Sequence, residues 1–221
     1  TDSLVCYIKG IKCLSTLNAC LVLLENGCVQ EINSLCRIAN DLIQEIQFLQ
    51  VEIGATFTAD QTKFTQTFFQ EEFEDANQPI LKSQKRESVS VRKISAHNAK
   101  MSAQYINPSD YQTIAETEHK VFSGYVHGAY PQIMDMYGGN PPHFHVFGML
   151  GTPRIEGARQ QIVIHIERLC MATSFVSTKL NAPTVKIEIS KLLKRFDEET
   201  GNTERGSASD LLKKLKKQKS N

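Results

Sequence analysis

The sequence predicts an all-α protein, a helical bundle that starts with a long antiparallel helical hairpin. Three observations carry this. Apolar residues recur at steps of three and four along most of the chain, the spacing of one helix face. Two such stretches at the start are separated only by Asn26-Gly27, a turn dipeptide that leaves no room for anything but an antiparallel return. No stretch reads as a sheet: QIVIHI at 161–166 is strand-like locally but lies within a pattern long enough for a helix.

The first helix is expected over residues 4–25, with Leu4, Ile8, Ile11, Leu14, Leu17, Leu21 and Leu24 as its apolar stripe. Cys6, Cys13 and Cys20 follow at steps of seven, so they share nearly one face as small buried hydrophobes. About 10 Å separates successive members along the axis, too far for one metal or a disulfide. A reducing compartment fits that usage. The second helix is expected over 28–53, with Ile32, Leu35, Cys36, Ala39, Leu42, Ile43, Ile46 and Leu49 facing inward.

Phe64, the adjacent Phe68 and Phe69, and Phe73 then fall four to five apart in a core helix within 59–75. After Pro79 the charge turns basic, with Lys82, Lys85, Arg86, Arg92, Lys93 and Lys100 on a helix whose apolar side is Val89, Ile94 and Met101. The motif NPSD opens the next helix, Pro108 shaping its entry and Ser109 able to cap it. That helix runs on past Ile114, Val121, Phe122 and Tyr125. A glycine and proline loop occupies 137–152, long enough to be of functional interest. Thr152-Pro153 reads as N-cap and first position of a long helix stopped by Asn181 and Pro183, and residues 184–200 form a last helix closed by Gly201. The expected organisation is one bundle domain at 1–200, then a polar spacer and basic tail at 201–221.

The 221 residues hold 25 basic and 24 acidic side chains, a net charge of +1, so no global field favours nucleic acid, membrane or acidic substrate. No run of about 18 uninterrupted apolar residues is present. The opening TDSLVCYIKGIKC lacks the charged start, apolar centre and cleavage site of a signal peptide. A cytoplasmic protein without membrane association is expected.

Half of the six histidines lie in YVHGAYPQIMDMYGGNPPHFHVFGMLG at 125–151. Ser123, His127 and Tyr130 are spaced to share one helix face. Gly124 and Gly128 flank that face, and paired glycines in a helix point to close approach of a backbone or ligand. His127 is thus a candidate acid or base, or a histidine that fixes packing by hydrogen bonding. His143 and His145 would point to one side of an extended segment. No HExxH or CxxC-type spacing accompanies them, so no metal and no cofactor are expected.

The spacing R-x(4 to 6)-H marks endoribonucleases of the HEPN superfamily, and Arg92 with His97 and Arg159 with His165 both fit it. So loose a spacing is often met by composition alone. Its chemistry is coherent: histidine moves a proton at the ribose 2′-hydroxyl or leaving oxygen, and arginine stabilises phosphate charge. Such pairs meet their copy across a dimer, so RNA and a homodimer are the partners this reading requires.

The hairpin LNACLVLLENGCVQEINSLCRIANDLIQEIQFL at 17–49, followed downstream by FSGYVHGAY at 122–130, resembles an all-helical prokaryotic family of unknown function. That family combines Leu-x-Arg-x-x-x-Glu on one helix with Ser-x-x-x-His on a later one. The matching residues are Arg37, Asp41, Ser123 and His127, with aspartate shorter than the usual glutamate by one methylene. The resemblance implies a polar centre at these four residues, a distant likeness to the HEPN fold and a role in phage defence or nucleic-acid processing. The residues themselves agree in part, because Arg37 and Asp41 are i, i+4 neighbours in an otherwise apolar helix, where charges are expected to be paired.

Two functions are therefore weighed: an RNA-cleaving or phage-defence protein, and a non-catalytic interaction module whose polar centre stabilises the bundle. The first needs an arginine and a histidine exposed together in a basic groove. The second needs them buried and bonded. Lys213, Lys214, Lys216 and Lys217 add a candidate phosphate-binding tail whose affinity would fall steeply with salt, or a solvated terminus.

Overall fold

The computed structural model describes residues 2–51, 56–69 and 89–200. Among them are eight helices and no strand: α1 (Asp2–Glu25), α2 (Val29–Phe48), α3 (Ala59–Phe68), α4 (Val91–Met101), α5 (Pro108–Val126), α6 (Tyr130–Met134), α7 (Arg154–Lys179) and α8 (Pro183–Thr200). The all-α bundle with an opening hairpin is thereby shown. The basic tail with Lys213, Lys214, Lys216 and Lys217, and the acidic stretch after Phe69, lie outside the described residues.

The α1–α2 turn closes as the dipeptide demands. Gly27 takes φ +72°, its N–H donates to Leu24 O and that of Cys28 to Leu23 O, both at 3.0 Å, a glycine-dependent helix stop. A second reason for glycine comes from outside the hairpin. Met149 N–H donates to Gly27 O at 2.8 Å, and a β-carbon on Gly27 would strike the backbone of Met149 and Leu150. The glycine and proline loop is therefore a clamp on the hairpin tip. It is also less irregular than its composition suggests, for Tyr137 and Phe144 form an antiparallel bridge with rings 5.5 Å apart.

α2 is the central helix, packed by α1, α4, α5 and α7. Its buried residues Ile32, Cys36, Ala39, Ile43 and Ile46 are those its periodicity marks. It ends at Phe48, five residues earlier than expected, where Gln61 of α3 takes over. Gln61 is fully buried, caps its own helix through Thr58 and donates to Phe48 O at 2.7 Å.

α1 departs from expectation. Its core-facing side is the cysteine side, with Val5, Cys6, Lys9, Cys13, Thr16, Leu17 and Cys20 buried. Of the predicted leucine and isoleucine stripe only Leu17 is buried, while Leu4, Ile8, Ile11, Leu14 and Leu21 are exposed. The buried Lys9 is held by Glu45 at 2.7 Å and lies over the rings of Phe64 and Phe68 at 5.2 and 4.8 Å. By length and composition alone α1 is also apolar enough to cross a bilayer, although here its cysteine side is buried in the bundle.

The helix expected to carry His127 stops before it. α5 ends at Val126 with His127 as the C-cap; Gly128 follows at φ +60° and the Ala129 N–H returns to Gly124 O at 2.9 Å. Gly128 is thus a helix stop rather than a notch, and Tyr130 starts a new helix. Gly124 serves close packing, since a β-carbon there would strike the Gln132 side chain. At the head of α5 the cap is Asn107, which accepts from Ser109 N–H, with Pro108 at the first turn. Pro153, not Thr152, is the N-cap of α7; the Thr152 hydroxyl instead donates to Met149 O at 2.8 Å.

Candidate functional site

A groove of about 510 Å³ runs between α2, α4 and α5. Its position is set by a small polar network. Asn98 of α4 donates to the Gln44 side chain of α2 at 2.8 Å and to its backbone carbonyl at 2.9 Å, and the Tyr111 hydroxyl of α5 donates to the same side chain at 3.1 Å. Burial raises the Tyr111 pKa, so the phenol stays protonated and the three helices stay tied. Asp41 and Glu45 come from α2, Arg92 from α4, and Glu116, His119 and Lys120 from α5; Val91, Ile94, Ala96 and Ala115 supply apolar wall. The rim therefore mixes both signs of charge.

At one edge the chain builds an arginine-centred cluster. Arg37 forms the i, i+4 ion pair with Asp41 that the α2 sequence predicts. Its guanidinium also donates to His119 Nε2 at 2.6 Å. A ring nitrogen that accepts requires the neutral imidazole, its proton on Nδ1. Burial, and then the charge of Arg37, lower the His119 pKa, which keeps the ring in that form at neutral pH. Burial lowers that of Arg37 as well; its side chain is 15% exposed against 40% for Asp41. Chemically the cluster offers a neutral imidazole, a half-exposed carboxylate and a charge-bearing guanidinium at the lip of a partly apolar groove.

The four residues expected to converge are thus divided. Arg37 and Asp41 meet, and His119 stands where His127 was expected. His127 is exposed at the end of α5, eight residues and about 12 Å of helix further on. Ser123 lies one turn beyond His119 and is half-buried. His119 was missed because no motif surrounds it, yet its spacing of four before Ser123 places both on one face of α5. That spacing was the available signal.

Of the R-x(4 to 6)-H stretches, neither brings its two members onto a shared surface. Arg92 lines the groove, while His97 packs edge-on to Phe48 at 5.1 Å and lies 3.4 Å from the Gln61 amide. Arg159 is exposed and pairs with Glu156 at 3.2 Å, whereas His165 is fully buried, donating from Nδ1 to Gln161 O at 2.7 Å. Burial lowers the pKa of both histidines.

A second arginine was also overlooked. Arg168 of α7 grips Glu118 of α5 with two bonds, 3.0 and 2.7 Å, and reaches Asn40 of α2 at 3.4 Å. Burial alone would lower its pKa, and the paired carboxylate reverses that and raises it. A charge between Ile166 and Leu169 in an apolar pattern was the signal for a buried pair. In the loop, His143 and His145 meet edge to face with ring centres 4.6 Å apart, and His143 Nδ1 contacts Pro141 O at 2.7 Å. Among the described residues no three His, Cys, Asp or Glu side chains group so as to hold a metal ion. Comparison with known proteins finds no matching family model, curated protein or solved structure.

Proposed function

We propose that the protein is a non-catalytic helical interaction module that seats a short amphipathic segment of a partner protein in the α2, α4 and α5 groove. One observation carries the reading: the groove joins an apolar wall to a rim bearing both signs of charge. Partner segments with alternating apolar and charged side chains match such a surface. A polyanion would need a basic groove, and here Asp41, Glu45 and Glu116 stand among Arg92 and Lys120.

A second reading, an RNA-cleaving enzyme in a defence setting, is favoured by the contact of Arg37 with a neutral His119 at the groove edge. A neutral histidine is a competent general base once the guanidinium leaves Nε2 for a phosphate, which frees the one lone pair the ring has to offer. The two readings separate in one experiment. A panel of short amphipathic peptides and a fluorescent single-stranded RNA are offered to wild type, Ala115→Trp, which fills the groove, and His119→Ala. The module reading expects peptide binding lost in Ala115→Trp and RNA left intact by all three proteins. RNA cleavage by wild type that disappears in His119→Ala would replace it with the nuclease reading.

A further inference from the structure

α1 carries two seams on opposite faces. The inward seam is Cys6, Lys9, Cys13, Thr16 and Cys20, and all five are buried. The outward seam is Leu4, Tyr7, Ile11, Leu14, Asn18 and Leu21, and all six are exposed. The outward residues alternate in steps of three and four, which is the 3.5-residue period of a helix that packs along another helix. The larger apolar side chains of α1 thus face away from its own core, flanked by Ile8 and Val22, also exposed. A solvated helix face is expected to be polar. This one breaks that rule over about 25 Å of helix.

We infer that this seam is the interface of a homodimer in which α1 packs antiparallel against α1 of a second copy about a two-fold axis. The order of side chains is what commits it to a second copy. Reversed and laid on itself about the point midway between residues 12 and 13, the seam sets Leu4 against Leu21, Tyr7 against Asn18 and Ile11 against Leu14, each pair occurring twice. Every apolar residue meets an apolar one. The only two polar groups, the Tyr7 hydroxyl and the Asn18 amide, meet each other, and a large ring faces a small side chain so that the layers stay even. A parallel pairing would instead stack tyrosine on tyrosine in one layer. Self-complementarity of this kind is the requirement of a two-fold interface, and one polar layer in an apolar seam fixes register.

The area is sufficient. From the exposed fractions, 48% for Leu4, 64% for Tyr7, 52% for Ile11, 63% for Leu14 and 45% for Leu21 with Ile8 and Val22 beside them, two copies would bury on the order of 1,400 Å², within the range of stable interfaces. The bulk of each bundle lies on the opposite face of α1, so a partner helix can approach. This inference is independent of the groove, which α1 does not line.

The test is sedimentation of the full chain over a range of concentrations, with Ile11→Glu and Leu14→Glu as variants whose exposed positions leave helical content unchanged by circular dichroism. Wild type should sediment at twice 24.8 kDa, and either glutamate should weaken the dimer about 100-fold or more. Register is read by oxidative cross-linking: Tyr7→Cys mixed with Asn18→Cys should form a linked pair, and neither variant should link to itself above the wild-type background. A monomeric wild type overturns the inference. So does a dimer that survives both glutamates, efficient self-linking of either cysteine variant, or flotation of wild type with phosphatidylcholine vesicles in place of dimerisation.

Discussion

Two arginines on neighbouring helices show what distinguishes a structural charge from an available one. Arg168 is matched by two bonds to Glu118 and a third contact to Asn40, drawing on α7, α5 and α2. Asn40 touches the α2, α4 and α5 groove and Glu118 a second cavity, but both carboxylate oxygens of Glu118 are already taken by Arg168. Arg37 shares its charge with a carboxylate that is 40% exposed and a histidine that must stay neutral to accept, both on the wall of the α2, α4 and α5 groove. The first arrangement locks helices. The second leaves a carboxylate and an imidazole that a bound group can engage. Each arginine has two partner residues, so neither charge nor partner number separates them; the exposure of the paired carboxylate does, 27% for Glu118 against 40% for Asp41.

Removing the locking charge should cost most. Arg168→Ala leaves Glu118 without its partner, and chemical denaturation should show a loss of about 2 to 3 kcal/mol, below the value for a fully enclosed pair because each side chain is 27% exposed. Replacing both residues by apolar ones, Arg168→Met with Glu118→Leu, should recover much of that loss. A double variant no more stable than Arg168→Ala would break the contrast, because the pair would then do more than balance charge.

pH sharpens the same comparison. His97, His119 and His165 have pKa values lowered chiefly by burial, so below about 6.5 the unfolded chain binds more protons than the folded one. Stability should be full above that value and fall as pH drops through the lowered pKa values. His165, the fully enclosed one, should contribute more of that slope than His119. Urea midpoints between pH 5 and 7.5 for His165→Gln and His119→Gln measure it, and a profile flattened more by the second would reverse the order.

Smaller effects belong to the open edge. Asp41→Asn should change stability by about 0.5 kcal/mol or less, as a half-exposed i, i+4 pair does, yet weaken peptide binding at the groove. His127→Ala should lie within about 0.5 kcal/mol of wild type and leave groove binding unchanged. A binding defect in His127→Ala with none in Asp41→Asn would move the site to the end of α5.

The fold was largely legible. Asn26-Gly27 marked the hairpin, and the spacing of Ile32, Cys36, Ala39 and Ile43 marked the buried face of α2, because local turn chemistry and periodicity decide both. α1 was read with the wrong face inward, since both of its sides are apolar and periodicity cannot choose between them; the neighbouring helices do. Of the cluster, the Arg37 and Asp41 pair was legible as a helical neighbour relation. His119 was not, because its contact with Arg37 joins residues 82 apart in sequence through the docking of α5 on α2. The stop at Gly128 was hidden for a related reason: a glycine reads alike as a helix end and as a point of close packing, and only its φ of +60° separates the two.

The groove as the binding surface is tested most directly by titrating isotopically labelled protein with the tightest peptide of the panel and following backbone amide shifts. The account predicts saturable shifts at Asp41, Ser95, Ala115, His119 and Lys120, with residues 144–150 and the outward face of α1 unmoved. Shifts centred on either of those surfaces, with the groove residues silent, would contradict it.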